Sequence, residues 1–305
     1  MSQLIGVDLG GTAIKLGRFN RNGELLAELE VPTPQPAMPG AVVMALVDAI
    51  DRLDPEREAP DVGIGLPGPM DGAGRVARVC INLPGWQQVP LAEWLEPQLQ
   101  RRVTLANDGN CALMGEAWHG AAKGYSDVLL LTLGTGVGGG VLLKDQLLTG
   151  HAGAAAEPGL ICVNPEGPPC NSGNRGSLEQ YCSVGGLLRL AEERGLGDRD
   201  PRTLSQLADA GDAQALAIWQ SYGRWLGIGL SSLIYVLTPK LVLVGGGLSA
   251  ASRHFLPAAL RELEERVQAE SRQGLELRGC ALGNGAGRLG AARLALERFG
   301  QDRLG

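Results

Sequence analysis

Two α/β domains built on one plan are predicted by three features of this 305-residue sequence. Apolar runs of strand length alternate with segments whose apolar residues recur at helical spacing, the pattern of α/β proteins. Three of those runs end in glycine-rich turns. The second half also opens as the first does: a shift of 124 residues lays Leu9-Gly10 on Leu133-Gly134 and Asp8 on Thr132.

Leu4-Ile5-Gly6-Val7-Asp8-Leu9 reads as a buried strand, Gly10-Gly11-Thr12 as a turn, and Ala13 to Phe19 as the returning strand. Asn22-Gly23 is a hairpin signal leading to a third strand, Glu24 to Val31. Pro32, Pro34, Pro36 and Pro39 form a rigid connector into a helix at 40–53, where Val42, Leu46, Ala49, Ile50 and Leu53 share one face. Val62 to Leu66 is a strand cut off by Pro67-Gly68-Pro69, and a loop through Asn82-Leu83-Pro84-Gly85-Trp86 precedes a helix at 90–100. Val103 to Ala106 is a strand delivering Asn107-Asp108 to a turn, followed by a helix through Ala112, Glu116 and Trp118. Val128 to Leu133, Gly134-Thr135-Gly136 and Val137 to Leu143 repeat strand, turn and strand. A loop-rich stretch, 150–177, is followed by helices near 179–194, 203–209 and 212–236. The strand Leu241 to Val244 ends at Gly245-Gly246-Gly247, and helices near 256–270 and 287–299 close the chain.

The net charge of −6 leaves no electrostatic footprint for nucleic acid or an anionic membrane, so an anionic ligand must be held locally. No apolar run has transmembrane length and no export signal is evident, which predicts a cytoplasmic protein. The six cysteines form neither a C-x-x-C pair nor a dense framework, as in a reduced enzyme.

A strand entering a glycine turn leaves backbone N–H groups pointing outward, and these bind phosphate oxygens without side-chain charge. One such turn is an ordinary hairpin; three, each after a buried strand, suit a nucleotide in a cleft between two domains. Gly10, Gly11, Thr12, Gly134, Thr135, Gly136 and Gly138 are the candidate phosphate binders. At Gly245, Gly246 and Gly247 a base or ribose would meet bare backbone. Neither a P-loop nor a G-x-G-x-x-G fingerprint is present. Asp8, an anion beside phosphate, suits Mg²⁺ held through water. Lys15 is placed to offset phosphate charge, although a lysine on a hairpin is also ordinary solvated surface. Asp108 alone reads either as a helix N-cap or as a carboxylate at a strand's carboxyl end, where open α/β sheets place ligands.

In order along nearly the whole chain, these segments resemble the ROK family of sugar kinases and sugar-responsive repressors. Asp8-Leu9-Gly10-Gly11-Thr12 is similar to its first phosphate motif, Leu131 to Leu142 to its second, and Val242 to Leu248 to its adenosine motif. Gly65-Leu66-Pro67-Gly68-Pro69 and Asn82-Leu83-Pro84-Gly85-Trp86 resemble its sugar-side loops, the latter as in its glucokinases, and Asn107-Asp108 its Asn-Asp pair. The resemblance implies a two-domain actin-like ATPase (ribonuclease H-like) fold, with 1–110 plus 287–305 as the smaller domain and 111–286 as the larger. It implies ATP-dependent phosphorylation of a hexose, glucose first, giving glucose 6-phosphate, with Asp108 as general base and Mg²⁺ as companion of ATP. Gly68, Asn82, Asn107, Asp108, Glu157 and Glu179 become sugar-site candidates, and a cytoplasmic homodimer is expected. Fructose, mannose or an N-acetyl amino sugar as acceptor, and polyphosphate as donor, stay open within this class. A non-catalytic sugar-binding or regulatory protein is the alternative outside it; a repressor is not expected, since the first strand already starts at Leu4.

The chain departs from the family at its hallmark, E-x-G-H followed by C-x-C-G-x-x-G-C, whose histidine and three cysteines bind zinc. Here it reads Glu157-Pro158-Gly159-Leu160 and Cys170-Asn171-Ser172-Gly173-Asn174-Arg175-Gly176-Ser177, keeping only Cys170 of four ligands. A closed zinc site needs four, so no structural zinc is expected, and His151, Cys162 and Cys182 have no standard replacement spacing. Leu160 also removes a hydrogen-bonding group from the expected sugar site.

Overall fold

The computed structural model describes residues 3–80 and 83–300, which form two compact units. The first comprises residues 1–124, 147–156 and 281–305; the second comprises 125–146 and 157–280.

The first unit begins with β1 (Leu4–Leu9), β2 (Ala13–Phe19) and β3 (Leu25–Pro32), joined by antiparallel pairing. Helix α1 (Pro39–Leu53) starts on Pro39, where a missing N–H costs nothing. β4 (Asp61–Leu66) then lies parallel to β1. Two short strands, β5 (Ala77–Val79) and β6 (Gln87–Val89), pair as a hairpin that no apolar run announced. Next come α2 (Leu91–Leu99), β7 (Arg102–Asn107) parallel to β4, and α3 (Asp108–His119). The sheet order is β3-β2-β1-β4-β7.

Alternation along β1 sends Ile5, Val7 and Leu9 into the large core beneath α1 and α2, with Leu46, Ile50 and Leu95. Leu4 faces the opposite layer. Asp54, just beyond α1, is fully buried; it accepts the Ala59 N–H (3.0 Å) and pairs with Arg18 (3.0 Å) and the buried Arg101. Arg101 also donates to the Ala59 carbonyl (2.7 Å) and the Asp54 carbonyl (2.9 Å).

The second unit repeats the plan. β8 (Val128–Leu133) and β9 (Val137–Leu143) lie 124 residues after β1 and β2, so the sequence echo locates both strands to the residue. β10 (Gln146–Leu147), β11 (Leu241–Gly245) and β12 (Glu276–Gly279) complete a sheet in the order β10-β9-β8-β11-β12, an antiparallel hairpin followed by parallel strands, as in the first unit. Between β10 and β11 run α4 (Glu179–Cys182), α5 (Val184–Glu192), α6 (Pro201–Asp209) and α7 (Ala213–Leu237). The helix expected over 179–194 is two helices, because Ser183 ends α4 and its side chain caps α5 by accepting the Gly186 N–H (3.2 Å). Helix α8 (Ser252–Arg266) starts earlier than the apolar spacing implied, and Val267 ends it. Trp219, Tyr222 and Phe255 form the aromatic centre of this core.

The chain then returns to the first unit as α9 (Ala286–Gly300), packed on β1, β4 and α3. A domain boundary at Asn110 would fall inside α3; the first unit runs on to Gly124. The reason is Glu116, fully buried on α3, whose carboxylate accepts the N–H groups of Ala121 (2.7 Å), Ala281 (3.0 Å) and Leu282 (2.8 Å). That carboxylate binds the returning chain to α3. Among the described residues no helix is long and apolar enough to cross a membrane.

Candidate functional site

In the first unit, the parallel strands β1, β4 and β7 bring Asp8, Gly68 and Asn107-Asp108 to one edge of the sheet, at their carboxyl ends. The turn Gly10-Gly11-Thr12 follows directly from β1. Its carbonyls are all occupied: Gly10 accepts from the Thr33 hydroxyl (2.7 Å), Gly11 from Gln35 Nε2 (2.8 Å) and Thr12 from the Thr33 N–H (2.9 Å). No acceptor among the described residues takes the Gly11 and Thr12 N–H groups. The turn is therefore fixed as a donor surface by Thr33 and Gln35, two residues the motif reading did not contain. Their signal, polar side chains amid the prolines after β3, is too common to stand out.

Asp8 lies opposite Lys15 in the β1–β2 pair and against Gly287 at the start of α9. Burial pushes its carboxyl above the ordinary range, against the opposing pull of Lys15 and Arg288.

The helix after β7 is capped by Asn107, whose Oδ1 accepts the N–H groups of Gly109 (2.8 Å) and Asn110 (3.2 Å). Asn107 Nδ2 donates to the Gly68 carbonyl (3.2 Å), tying β7 to the loop after β4. Gly68 has φ +112°, and a Cβ there would lie 2.2 Å from the Val79 carbonyl oxygen, so a side chain is excluded. Because Asn107 is the cap, Asp108 is freed from that duty. One of its oxygens accepts the Gly109 N–H (2.8 Å), while the side chain stays open to solvent on one side. Protein crowds its other sides, and this desolvation, with the negative charge of Asp8, raises its pKa to about 6. A water-accessible carboxylate with a pKa near neutrality has the properties of a general base. Asn82 lies outside the described residues.

In the second unit, the turn Gly134-Thr135-Gly136 joins β8 to β9, with Thr135 exposed. Glu179, at the start of α4, accepts the Val137 N–H (3.0 Å). A Cβ on Gly136 would sit 2.5 Å from that carboxylate, so this glycine makes room for Glu179. Gly159 lies against the Val137 carbonyl, which seats the Glu157-Pro158-Gly159 turn beside the same residue. Glu157 and Glu179, 22 positions apart in sequence, are thus both anchored at the second glycine turn. Ala156, just before Glu157, has φ +63°, a left-handed conformation costly for a residue with a Cβ. Ala156→Gly is expected to raise stability by about 0.5 kcal/mol, the relieved strain exceeding the added unfolded-chain entropy. Thermal melts check this, and a lower midpoint would refute it.

Gly246 packs on Leu133, so β11 brings Gly245-Gly246-Gly247 beside the second turn. Gly247 presents bare backbone, and a cavity of about 250 Å³ opens there, lined by Gly247, Leu248, Trp219 and Arg253 among others. The Arg253 guanidinium is held flat by Asp209 (2.8 and 2.5 Å) and the Ala250 carbonyl (2.9 Å), a planar platform the motifs did not reveal. Cys170 is buried, and its thiol accepts a hydrogen bond from Ser172 Oγ (3.3 Å). Cys162 is exposed and Cys182 fully buried. Among the described residues no three His, Cys, Asp or Glu side chains gather as a metal site.

Comparison with known proteins gives one consistent result. The ROK family model matches residues 4–298. A glucokinase of Thermotoga maritima is 34% identical over 312 residues, covering 98% of each chain. The structure of a ROK family glucokinase from Streptomyces griseus in complex with glucose and AMPPNP superimposes with a TM-score of 0.83 at 33% identity, over 97% of this chain and 100% of that one. A ROK hexokinase from Thermus thermophilus gives 0.85 at 36% identity, over 98% and 99%.

Proposed function

The chain belongs to the ROK family, and from that premise we propose that it transfers the terminal phosphoryl group of ATP to a hexose hydroxyl, glucose first. The observation that carries the reading is Asp108: a solvent-accessible carboxylate, released from capping by Asn107, with its pKa raised to about 6.

Phosphoryl transfer leaves the protein little covalent work; it positions the reactants, neutralises charge and removes a proton. Asp108 accepts the proton of the attacking hydroxyl. Asn107 positions the Asp108 turn, and the Gly68 loop held by Asn107 supplies backbone to the sugar. Glu157 and Glu179 accept hydroxyls, each offering two oxygens. The open N–H groups of Gly11 and Thr12, and the turn Gly134 to Gly138, take phosphate oxygens. The 250 Å³ cavity beside Gly247 takes the adenine, stacked on Arg253. Asp8 is the residue suited to Mg²⁺ through water; burial raises its pKa although Lys15 and Arg288 stand near it. Held there, Mg²⁺ would supply positive charge to shield the phosphates of the donor. The similarity to glucokinases over the full chain supports glucose as acceptor. Six free cysteines suit a reducing, cytoplasmic setting.

A coupled ADP-release assay across hexoses tests the proposal. ATP- and glucose-dependent turnover is expected, and no turnover with any hexose or donor would remove it in favour of a sugar-binding protein.

Zinc does not fit the donor set around Cys170, where one thiol is bonded to a serine hydroxyl and Leu160 offers no ligand. Prolonged dialysis against a chelator is therefore expected to leave the melting temperature unchanged. Metal analysis showing one tightly held zinc per chain would contradict this.

A further inference from the structure

A cavity of about 400 Å³ lies wholly within the first unit; of the residues given a part in phosphate binding, sugar binding or proton transfer, Asn107 alone lines it. It runs along β7 from Thr104 to Asn107 and is bordered by the 147–153 segment and the second half of α9. Asp108, Gly68 and the glycine turns do not line it. Its volume is that of a small-molecule site, roughly 300–1,000 Å³.

Asn110 forms part of its wall. The residue is only 6% exposed, yet its Oδ1 has no hydrogen-bond partner. A buried polar atom left unpaired is costly, and the residue that carries it lines this cavity. Thr104, also buried, and Thr149 add hydroxyls, while Leu105 and Leu294 add apolar surface. Two carboxylates, Asp71 and Glu297, and one guanidinium, Arg298, also line the cavity. That balance disfavours an anion. Hydroxyls satisfy an amide whichever way its carbonyl and amino groups point, since they both donate and accept. A neutral polyol of hexose size, with polar edges and an apolar face, matches this lining.

We propose that the cavity is a second hexose site, separate from the acceptor site. Its occupant touches the first turn of α3 through Asn110 and reaches Asn107, which holds Asp108 in place. A hexose there steadies the turn that carries the base. The choice of glucose as probe rests on the functional reading above; the cavity and its orphaned amide do not.

Calorimetric titration of the full chain with glucose, without nucleotide, tests the site. Two glucose molecules per chain are expected. Asn110→Leu removes an unpaired buried amide, so its melting temperature is expected to hold or rise, while affinity at one site falls at least roughly tenfold. Leu294→Trp fills the cavity and is expected to abolish the same site. One glucose per chain, unaffected by either change, would overturn the proposal and leave the acceptor site standing; the cavity then holds water only. One glucose lost in both variants would also overturn it, placing Asn110 in the acceptor site. No glucose bound at all would overturn the choice of glucose at both sites.

Discussion

Asp108→Asn is expected to lower kcat by roughly 10²–10⁴-fold, the contribution of a positioned general base, with little change in the KM for glucose. Asparagine has the shape of aspartate, and its carbonyl can still accept the Gly109 N–H, so the turn survives. Helix α3 keeps its cap, because Asn107 supplies it. Only the capacity to take a proton is lost. The pH profile makes the same claim independently. A base works deprotonated, so kcat/KM of the unaltered enzyme should be flat above about pH 7 and fall tenfold per unit below its pKa of about 6. In Asp108→Asn that acid limb should disappear. Retained activity, or an unchanged limb in the variant, would remove Asp108 from the proton transfer.

The second large effect is structural. Arg101→Ala should destabilise the first unit by about 3–5 kcal/mol, the cost of breaking a buried ion pair from one side. Asp54 would keep Arg18 and the Ala59 N–H, which argues for the lower end of that range. The carbonyl of Ala59 would also lose a donor. These partners hold the Asp54 carboxyl below its ordinary value of 3.8 despite burial. Its stabilisation is thus complete above that value and is lost as pH falls through the lower folded-state pKa. Replacing both residues by apolar ones of similar size, Arg101→Met with Asp54→Leu, should not recover the loss, because the Ala59 N–H then has no acceptor and Arg18 loses Asp54. Urea melts of the three proteins decide the matter. A single variant as stable as the parent would show that the pair carries no net stability.

The strands and turns were legible because their signals are local. Continuous apolar runs and glycine clusters mark β1, β2, β8, β9 and β11, and the echo at 124 residues places two strand pairs at once. β5, β6 and β12 were not, since Gln87-Gln88 or Glu276 with Arg278 carry no apolar run and pair only because a neighbouring backbone is offered. The break at Ser183 was likewise hidden inside a helical pattern that continues across it.

Asp108 shows where the division falls. By sequence alone the Asn107-Asp108 pair gives a helix start and a carboxylate, and either residue serves as cap, because capping depends on residue type within three positions. Tertiary structure decided between them: the Asn107 amide, tied to Gly68, points back to cap α3, while crowding and Asp8 raise the pKa of Asp108. Thr33 beneath the first turn, Glu179 beneath the second and Glu116 across the chain's return to the first unit belong to the same class. The sequence by itself determined which elements form and which residue types lie at the strand ends, because those follow from short-range propensity and pattern. Only the folded chain decided which of those polar groups are spent on holding backbone and which are left open to a ligand, because that depends on partners tens to hundreds of residues away.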